Sequence, residues 1–363
     1  MVIQYENQAS GENMIFRQLF DAKSSTYTYL LADEQSKTAV LIDPVFEQVN
    51  RDVALINELG LNLAYALDTH CHADHVTGSW LLKHKANCKI ASAKSIHAKN
   101  SDIGLVNGDI INFGQYELEV RATPGHTEGC LTYVCHTQKI AFTGDALLIR
   151  GCGRCDFQQG SASQLFDSIH QQIFSLSDDF QLYPGHDYSG RCSTSVSEEK
   201  QFNARLGGNA SREDFVGYMN NMSLPHPKFI DIALPANVLS GKPEVLPEEP
   251  SWAPVELSYG GIYQVTSYWV ANNLNKVTLL DVREPNEIAM SKVQNKAVME
   301  IPIGTLEANI DTIPTDKPIV VLCRSGRRSA LAVTMLNKSG LTNVANIKGG
   351  MLDWQEQGLP LSR

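Results

Sequence analysis

Short apolar runs separated by turn residues dominate the chain up to about residue 240. The segments "TYTYLLAD", "TAVLIDP", "LNLAYALDT", "YELEVRATPGH" and "LTYVCHTQKIAFTGDAL" gather β-branched and aromatic residues between polar or glycine-containing stretches, which predicts buried strands. Between them, "EQVNRDVALINELG" sets Val49, Val53, Ile56 and Leu59 at helical spacing, and "SASQLFDSIHQQIFSL" does the same with Leu165, Ile169 and Ile173. Sheets covered by helices are the expectation for this part. Further on, "VTLLDVREPNE", "KAVMEIPIG", "KPIVVLCRSG" and "NVANIKGG" alternate with helical stretches such as "RRSALAVTMLNKSG", the pattern of a small α/β domain with a mostly parallel sheet. The prolines and glutamates of "SGKPEVLPEEPSWAP", residues 240–254, carry no apolar periodicity and read as a linker. The predicted division is therefore residues 1–239, a linker over 240–256, and residues 257–363, all of α/β class.

Length and charge agree with two soluble domains. The 363 residues exceed the usual ~100–200 per domain, and the 43% hydrophobic content can supply a core for each. A net charge of -10 repels phosphate backbones and anionic lipid heads, so neither nucleic acid nor a membrane is expected as a partner. The N-terminus lacks a basic stretch followed by an apolar core, and no 18 apolar residues run together, so a cytoplasmic protein is expected. Eight cysteines scattered over so long a chain read as free thiols rather than a disulfide framework.

Two constellations carry chemistry. The first is "THCHADH", in which His70, His72, Asp74 and His75 follow an apolar run; His126 in "TPGHTEG", Asp145 in "FTGDALL" and His186 in "YPGHDY" extend it. Imidazoles and carboxylates together suit first-row metals, and each of the later three sits beside a glycine that lets a loop turn sharply. His84, His97, His136, His170 and His226 have no such company and are assigned to surface or core. The spacing alone admits one ion or two.

These motifs resemble the metallo-β-lactamase superfamily over about residues 13–238, which implies an αββα sandwich with a metal at one edge of its two sheets. Within the superfamily, the seven residues resemble a glyoxalase II site. That likeness implies one ion facing His70, His72, His126 and Asp145, a second facing Asp74, His75, Asp145 and His186, and a bridging hydroxide attacking a thioester. The longer stretches "THCHADHVTGS", "ATPGHTEGCLTY", "FTGDALLIRGCGRCDFQQG" and "YPGHDYSG" are more similar to the persulfide dioxygenases of the same superfamily. This resemblance implies one Fe(II) held by His70, His126 and Asp145, with His72, Asp74, His75 and His186 supporting them, and O2-dependent oxidation of glutathione persulfide to sulfite and glutathione. It also places Arg154 and Tyr188 at pocket positions, a cation for a glutathione carboxylate and a phenol near the iron. Cys152 and Cys155 form "CGRC" without a thioredoxin-like strand-to-helix context and read as ordinary loop thiols.

The second constellation is "PIVVLCRSGRRSALAV", an apolar strand running into Cys323, a short polar loop, and a helix beginning near Arg328 and Ser329. Backbone N–H groups and a helix N-terminus favour a thiolate there, and Arg324, Arg327 and Arg328 add positive charge. With "LLDVREPNE" and "NIKGGMLDW", this segment resembles a single-domain rhodanese over about residues 257–360. The resemblance implies that Cys323 accepts a sulfane sulfur and passes it on, with thiosulfate, glutathione and sulfite as reaction partners, while Asp281 and Arg283 form a structural pair.

The fusion narrows the reading. A persulfide oxidase produces sulfite that a sulfurtransferase can combine with persulfide sulfur, whereas a thioesterase has little use for such a neighbour. The alternatives are a dinuclear thioester hydrolase with an accessory rhodanese, and a second domain that docks a sulfur carrier. A homodimer is compatible with the sequence.

Overall fold

The computed structural model describes residues 14–362 except 223, 228, 248, 259 and 295–297. The chain divides into two compact units with a boundary between Glu244 and Val245, the short stretch Asn50–Leu55 being grouped with the second.

The first unit holds two six-stranded sheets. One runs in the order β1-β2-β3-β4-β5-β6, from Met14–Asp21, Thr26–Asp33, Thr38–Ile42, Asn62–Leu67, Lys89–Ala93 and Ile103–Leu105. The other has the order β12-β11-β10-β9-β8-β7, built from Ile110–Phe113 (β7), Tyr116–Ala122 (β8), Leu131–Cys135 (β9), Ile140–Gly144 (β10), Gln181–Pro184 (β11) and Thr194–Ser195 (β12). The helices of this part are α2 (Ser79–Ala86), α3 (Ala162–Ser168), α4 (Val196–Phe202), α5 (Arg212–Asn220) and α6 (Ile230–Asn237), while α1 (Val49–Glu58) contains the stretch grouped with the second unit.

The inner faces of the two sheets make one core. Tyr29, Leu31, Val40, Ile42 and Leu67 of the first sheet pack in the same cluster as Phe113, Leu118, Val120, Tyr133 and Phe142 of the second. Alternation along each strand sends the neighbouring residues outward, where Val134, Ala141 and Leu182 meet Leu165, Ile169, Ile173 and Phe215. All eight residues of β2 are buried, as expected for a strand covered on both faces.

Two elements differ in detail from the periodicity. The run "LTYVCHTQKIAFTGDAL" forms two antiparallel strands, β9 and β10, with Cys135 opposite Ile140. The stretch after α3 becomes a π-helix over Ile169–Ile173, in which the Phe174 N–H donates to the Ile169 carbonyl five residues back. Residues spaced by four drift around an α-helix of 3.6 residues per turn, and the wider turn lets Leu165, Ile169 and Ile173 all reach full burial.

The second unit has a six-stranded sheet ordered β13-β14-β19-β18-β15-β17. Its elements are β13 (Glu256–Leu257), β14 (Tyr263–Val265), α7 (Ser267–Asn272), β15 (Thr278–Asp281), α8 (Pro285–Met290), β16 (Lys292–Val293), β17 (Met299–Glu300), β18 (Ile319–Leu322), α9 (Arg327–Lys338), β19 (Val344–Ile347), α10 (Gly350–Glu356) and β20 (Leu361–Ser362). Strands 14, 19, 18, 15 and 17 pair in parallel, and only β13 joins this sheet antiparallel. The run "KAVMEIPIG" pairs only at Met299–Glu300; its residues 296 and 297 lie outside the described residues. Among the described residues, no helix is long and apolar enough to cross a membrane.

Register decides which chain ends meet. The parallel pair β3 and β4 sets Ile42 opposite Leu67, so Asp43 and Asp68 leave the sheet side by side. Likewise β10 and β11 set Gly144 opposite Pro184, which brings Asp145 and His186 together.

Candidate metal centre and thiol loop

His70, His126 and Asp145 each offer one ligand atom, and these atoms lie within 4.8 Å of one another. They arrive from three strand ends: the loop after β4, the loop between β8 and β9, and the residue following β10. Gly144 makes the last approach possible. Its φ of +51° is in the left-handed region, and a Cβ there would lie 2.6 Å from Thr69 Oγ1.

The hydrogen bonds settle which nitrogen of each histidine carries a lone pair. Thr69 Oγ1 donates its only proton to Asp43 Oδ2 (2.8 Å), so toward His70 Nδ1 at 3.0 Å it can only accept. His70 is therefore protonated at Nδ1 and presents a bare Nε2. The same holds for His126, whose Nδ1 lies 2.6 Å from the Arg154 carbonyl, an acceptor only. Burial, followed by the fields of His72 and the other histidines, keeps His70 well below the usual histidine range, in the neutral form that binds metal.

His186 is built differently. Its Nδ1 lies 2.7 Å from Asp145 Oδ1 and its Nε2 2.9 Å from Asp74 Oδ2, so both nitrogens face carboxylates. Burial opposes its charge, but Asp145 and Asp74 outweigh burial and hold His186 well above the usual histidine range. As an imidazolium it donates to both acids. Asp145 in turn is held well below the carboxylate range, burial being outweighed by His186, His70 and His126.

A second group, His72, Asp74 and His75, also has ligand atoms within 4.8 Å of one another. His72 Nε2 lies 3.1 Å from Asp43 Oδ1 and His75 Nδ1 lies 3.0 Å from Asp74 Oδ2, leaving His72 Nδ1 and His75 Nε2 buried without a hydrogen-bond partner. Asp43, Asp68 and His72 form a third such group. Asp43 already accepts from the Thr69 N–H and hydroxyl, and Asp68 from Thr77 and Ser79.

The residues assigned to substrate differ in their surroundings. Arg154 is matched within the protein: it forms two 2.6 Å hydrogen bonds to Asp156, donates to the Pro225 carbonyl at 2.9 Å and lies 4.4 Å above the Phe157 ring. Tyr188 is 77% exposed, and its ring lies parallel to His186 at 6.1 Å. Cys152 and Cys155 are free thiols in a loop, and burial pushes Cys152 up to about 11. His84 stacks on Trp80, and His136 pairs with Glu119 at 2.5 Å, away from the ligand groups.

In the second unit, Cys323 directly follows β18 and is almost fully buried. Its sulfur accepts from the Gly326 N–H and the Ser329 hydroxyl, each at 3.2 Å. The loop carbonyls point away from the sulfur, because the Met351 and Leu352 N–H groups of α10 donate to the Cys323 and Arg324 carbonyls at 2.9 and 3.0 Å. Helix α9 starts at Arg327, a residue earlier than the apolar pattern implied. Arg324 and Arg327 are exposed, whereas Arg328 makes two 2.6 Å hydrogen bonds to Glu287. Those bonds pull Glu287 down to about 2, so the pair stays charged at any ordinary pH. Asp281 and Arg283 form a buried ion pair at 2.6 Å that also donates to the Ser291 carbonyl.

Residues 23–186 match the family model of the metallo-beta-lactamase superfamily, and residues 266–357 match that of the rhodanese-like domain. Persulfide dioxygenase ETHE1, mitochondrial, of Mus musculus is 50% identical over 236 residues, covering 65% of this chain and 92% of the relative. The chain belongs to the persulfide dioxygenase family. The Homo sapiens dioxygenase is 50% identical over 232 residues, covering 64% of this chain and 91% of its own. The crystal structure of ETHE1 from Myxococcus xanthus superposes with a TM-score of 0.61 at 49% identity, over 63% of this chain and 100% of that one. A metallo-beta-lactamase structure from Staphylococcus aureus subsp. aureus COL shares the fold over 93% of this chain and 98% of its own, with a TM-score of 0.61 at 22% identity. The dioxygenase-family match accounts for the first unit, and the rhodanese-like match lies within the second, as the resemblances implied.

The dioxygenase domain uses residues that no motif pointed to. Asn237, at the end of α6, donates from Nδ2 to the His72 and His75 carbonyls (2.8 and 2.9 Å) and accepts from the Thr77 N–H (2.8 Å). It clamps the whole histidine loop from 165 residues away. Gln158 holds the same loop through the Cys71 carbonyl at 2.7 Å. Neither has a local signal, whereas Asp43, a carboxylate closing the apolar run "TAVLID", could have been noticed. Changing Asn237 to Ala leaves three buried backbone groups without partners at about 1–3 kcal/mol each. We expect a lower Tm together with a roughly tenfold weaker hold on the metal, read by thermal unfolding and by metal content after dialysis; unchanged values in both would remove Asn237 from the site.

Proposed function

We propose that the protein is a bifunctional sulfur enzyme, an Fe(II)- and O2-dependent dioxygenase of glutathione persulfide coupled to a sulfurtransferase. The observation that carries the first part is the convergence of two bare Nε2 atoms and one carboxylate, each fixed by a partner behind it. Two histidines and one carboxylate with open positions form the donor set of non-haem iron, and Fe(II) bound there supplies redox chemistry with O2 that zinc lacks. His70, His126 and Asp145 would hold it. The His186 imidazolium keeps Asp145 ionised and aimed, Asp74 keeps His186 charged, and Tyr188 stands exposed beside them to receive the substrate. Because the Arg154 cation is already matched, we assign its carbonyl, as the partner of His126, the larger role. The overall reaction converts glutathione persulfide, O2 and water into glutathione and sulfite.

The second part rests on Cys323 in its N–H-lined loop. A thiolate attacks the outer sulfur of thiosulfate or glutathione persulfide, the donor S–S bond breaks with its electron pair leaving on sulfite or glutathione, and the resulting persulfide passes to sulfite or a thiol. Sulfite from the first domain would thus leave as thiosulfate. Free thiols throughout suit the reducing cytoplasm, and a homodimer is compatible with this scheme.

One observation favours a second reading. His72 Nδ1 and His75 Nε2 are buried without a partner, and the glyoxalase II likeness would use the first on one ion and the second on another in a dinuclear thioester hydrolase. Elemental analysis of anaerobically purified protein, paired with O2 uptake on glutathione persulfide, separates the two. We expect about one iron per chain and sulfite formed in step with O2 consumed. Two zinc ions per chain, no O2 uptake and hydrolysis of an S-acylglutathione would establish the hydrolase instead.

A further inference from the structure

Beneath Cys323 lie two fully buried polar side chains that the sulfur-transfer scheme leaves without a task. Ser329, in the first turn of α9, places its hydroxyl 3.2 Å from the Cys323 sulfur and 2.6 Å from Oδ1 of Asn346. Asn346 lies on β19 opposite Val321, one strand over from the cysteine. Both are at least nine-tenths buried, Ser329 at 0% and Asn346 at 5% exposure.

A serine hydroxyl has one proton and two acceptors within reach here, so it can serve only one at a time. When Cys323 is a thiol, its S–H donates to Ser329 Oγ and the serine donates to Asn346 Oδ1. When the sulfur is a thiolate, it has no proton to give, and the serine proton turns to it. The amide then satisfies Ser329 by turning about its terminal bond to present its N–H2 end in place of Oδ1.

We propose that Ser329 and Asn346 are positioning residues of sulfur transfer, a reversible hydroxyl–amide relay that supplies a hydrogen bond to the Cys323 sulfur whenever it carries charge. The inference rests on the sulfurtransferase reading. Its use comes twice in the cycle. The relay stabilises the attacking thiolate before the sulfur–sulfur bond forms. It then stabilises the same thiolate as leaving group, when an acceptor takes the outer sulfur and the Cys323 S–S bond breaks with its electron pair returning to Cys323. A charge-assisted hydrogen bond is about twice as strong as a neutral one, so the relay acts on the charged state selectively.

The relay can be read without turnover. Iodoacetamide alkylation of Cys323 in the full-length metal-loaded protein, followed by peptide mass spectrometry across pH 5–10, reports the thiolate fraction whether or not sulfur transfer occurs. Ser329→Ala should slow alkylation about tenfold near pH 7 while leaving the high-pH plateau unchanged, a tenfold factor being one pH unit of displacement. Ser329→Thr should restore the wild-type profile. Asn346→Ala should slow it several-fold alone but add little to Ser329→Ala, as expected of groups acting as one unit. The elements around the loop also carry Arg324, Arg327 and Arg328, Glu287, the Asp281–Arg283 pair, Lys348 and Asp353, and none of these is changed. A Ser329→Ala profile that overlays the wild type, or an Asn346→Ala effect fully additive with it, overturns the relay. Should Ser329→Ala fail to fold, a wild-type profile for Asn346→Ala overturns it equally. If the wild-type protein transfers no sulfur from thiosulfate or persulfide, the sulfurtransferase reading falls instead, with the alkylation result still standing as a property of the thiol.

Discussion

Asp145→Ala is expected to strip the first domain of its metal and of O2 uptake together. Asp145 supplies the only carboxylate in the group with His70 and His126, and its other oxygen accepts from the His186 imidazolium at 2.7 Å. Its loss removes an anionic ligand and leaves a buried cation with Asp74 as sole carboxylate partner, so both effects act against a cation at this spot. Losing an outer partner of a metal ligand typically costs 10–100-fold, and losing the ligand itself should exceed about a hundredfold in affinity. Asp145→Asn should behave nearly as badly despite its matching shape, because a neutral amide cannot balance His186. Elemental analysis and O2 uptake on glutathione persulfide check this, with sulfur transfer in the same sample as internal control. Full metal occupancy in Asp145→Ala would place the ion elsewhere, the His72, Asp74 and His75 group being the obvious site.

Cys323→Ser should have an equally large and opposite selectivity. A hydroxyl at that place cannot become the anionic nucleophile that two hydrogen bonds to the sulfur are built to receive. Loss of a nucleophile acting as part of a unit lowers turnover by on the order of a thousandfold or more. Transfer of sulfur to cyanide or sulfite should vanish into background, while metal content and O2 uptake stay within about twofold of wild type. The small size of the change keeps the fold, since serine fits the cavity and can still meet Ser329 and Gly326. Loss of O2 uptake on this substitution would mean that the two chemistries are not separate modules.

Much of the fold was legible because both units use patterns that repeat locally. Strands such as "TYTYLLAD" are bounded by turn residues and buried on both faces, and the strand–loop–helix around Cys323 keeps its elements adjacent in sequence. The ligand candidates were legible for the same reason: His70 to His75 sit in one short loop, and His126, Asp145 and His186 each end a glycine-marked turn. Arg154 shows what such reading leaves out. Its neighbour Asp156, two residues on, meets it in a paired hydrogen bond, and the Pro225 carbonyl completes its shell, so a residue type suited to a substrate carboxylate is used within the protein. Arg328 is matched likewise by Glu287, 41 residues earlier.

By itself, the sequence determined the two families, most of the strands and helices, and the list of side chains able to bind metal or sulfur, because each of these is encoded within a few consecutive residues. The tertiary structure decided what each side chain is free to do. Thr69 and the Arg154 carbonyl choose the nitrogens that His70 and His126 present. Asp74 and Asp145 make His186 a cation, Asn237 locks the loop that carries four of the seven candidates, and Asn346 reaches Cys323 through Ser329. Most of these partners lie far apart along the chain, joined by strand register rather than by spacing. Protonation and orientation follow from hydrogen-bond partners, and those exist only once the sheets are assembled.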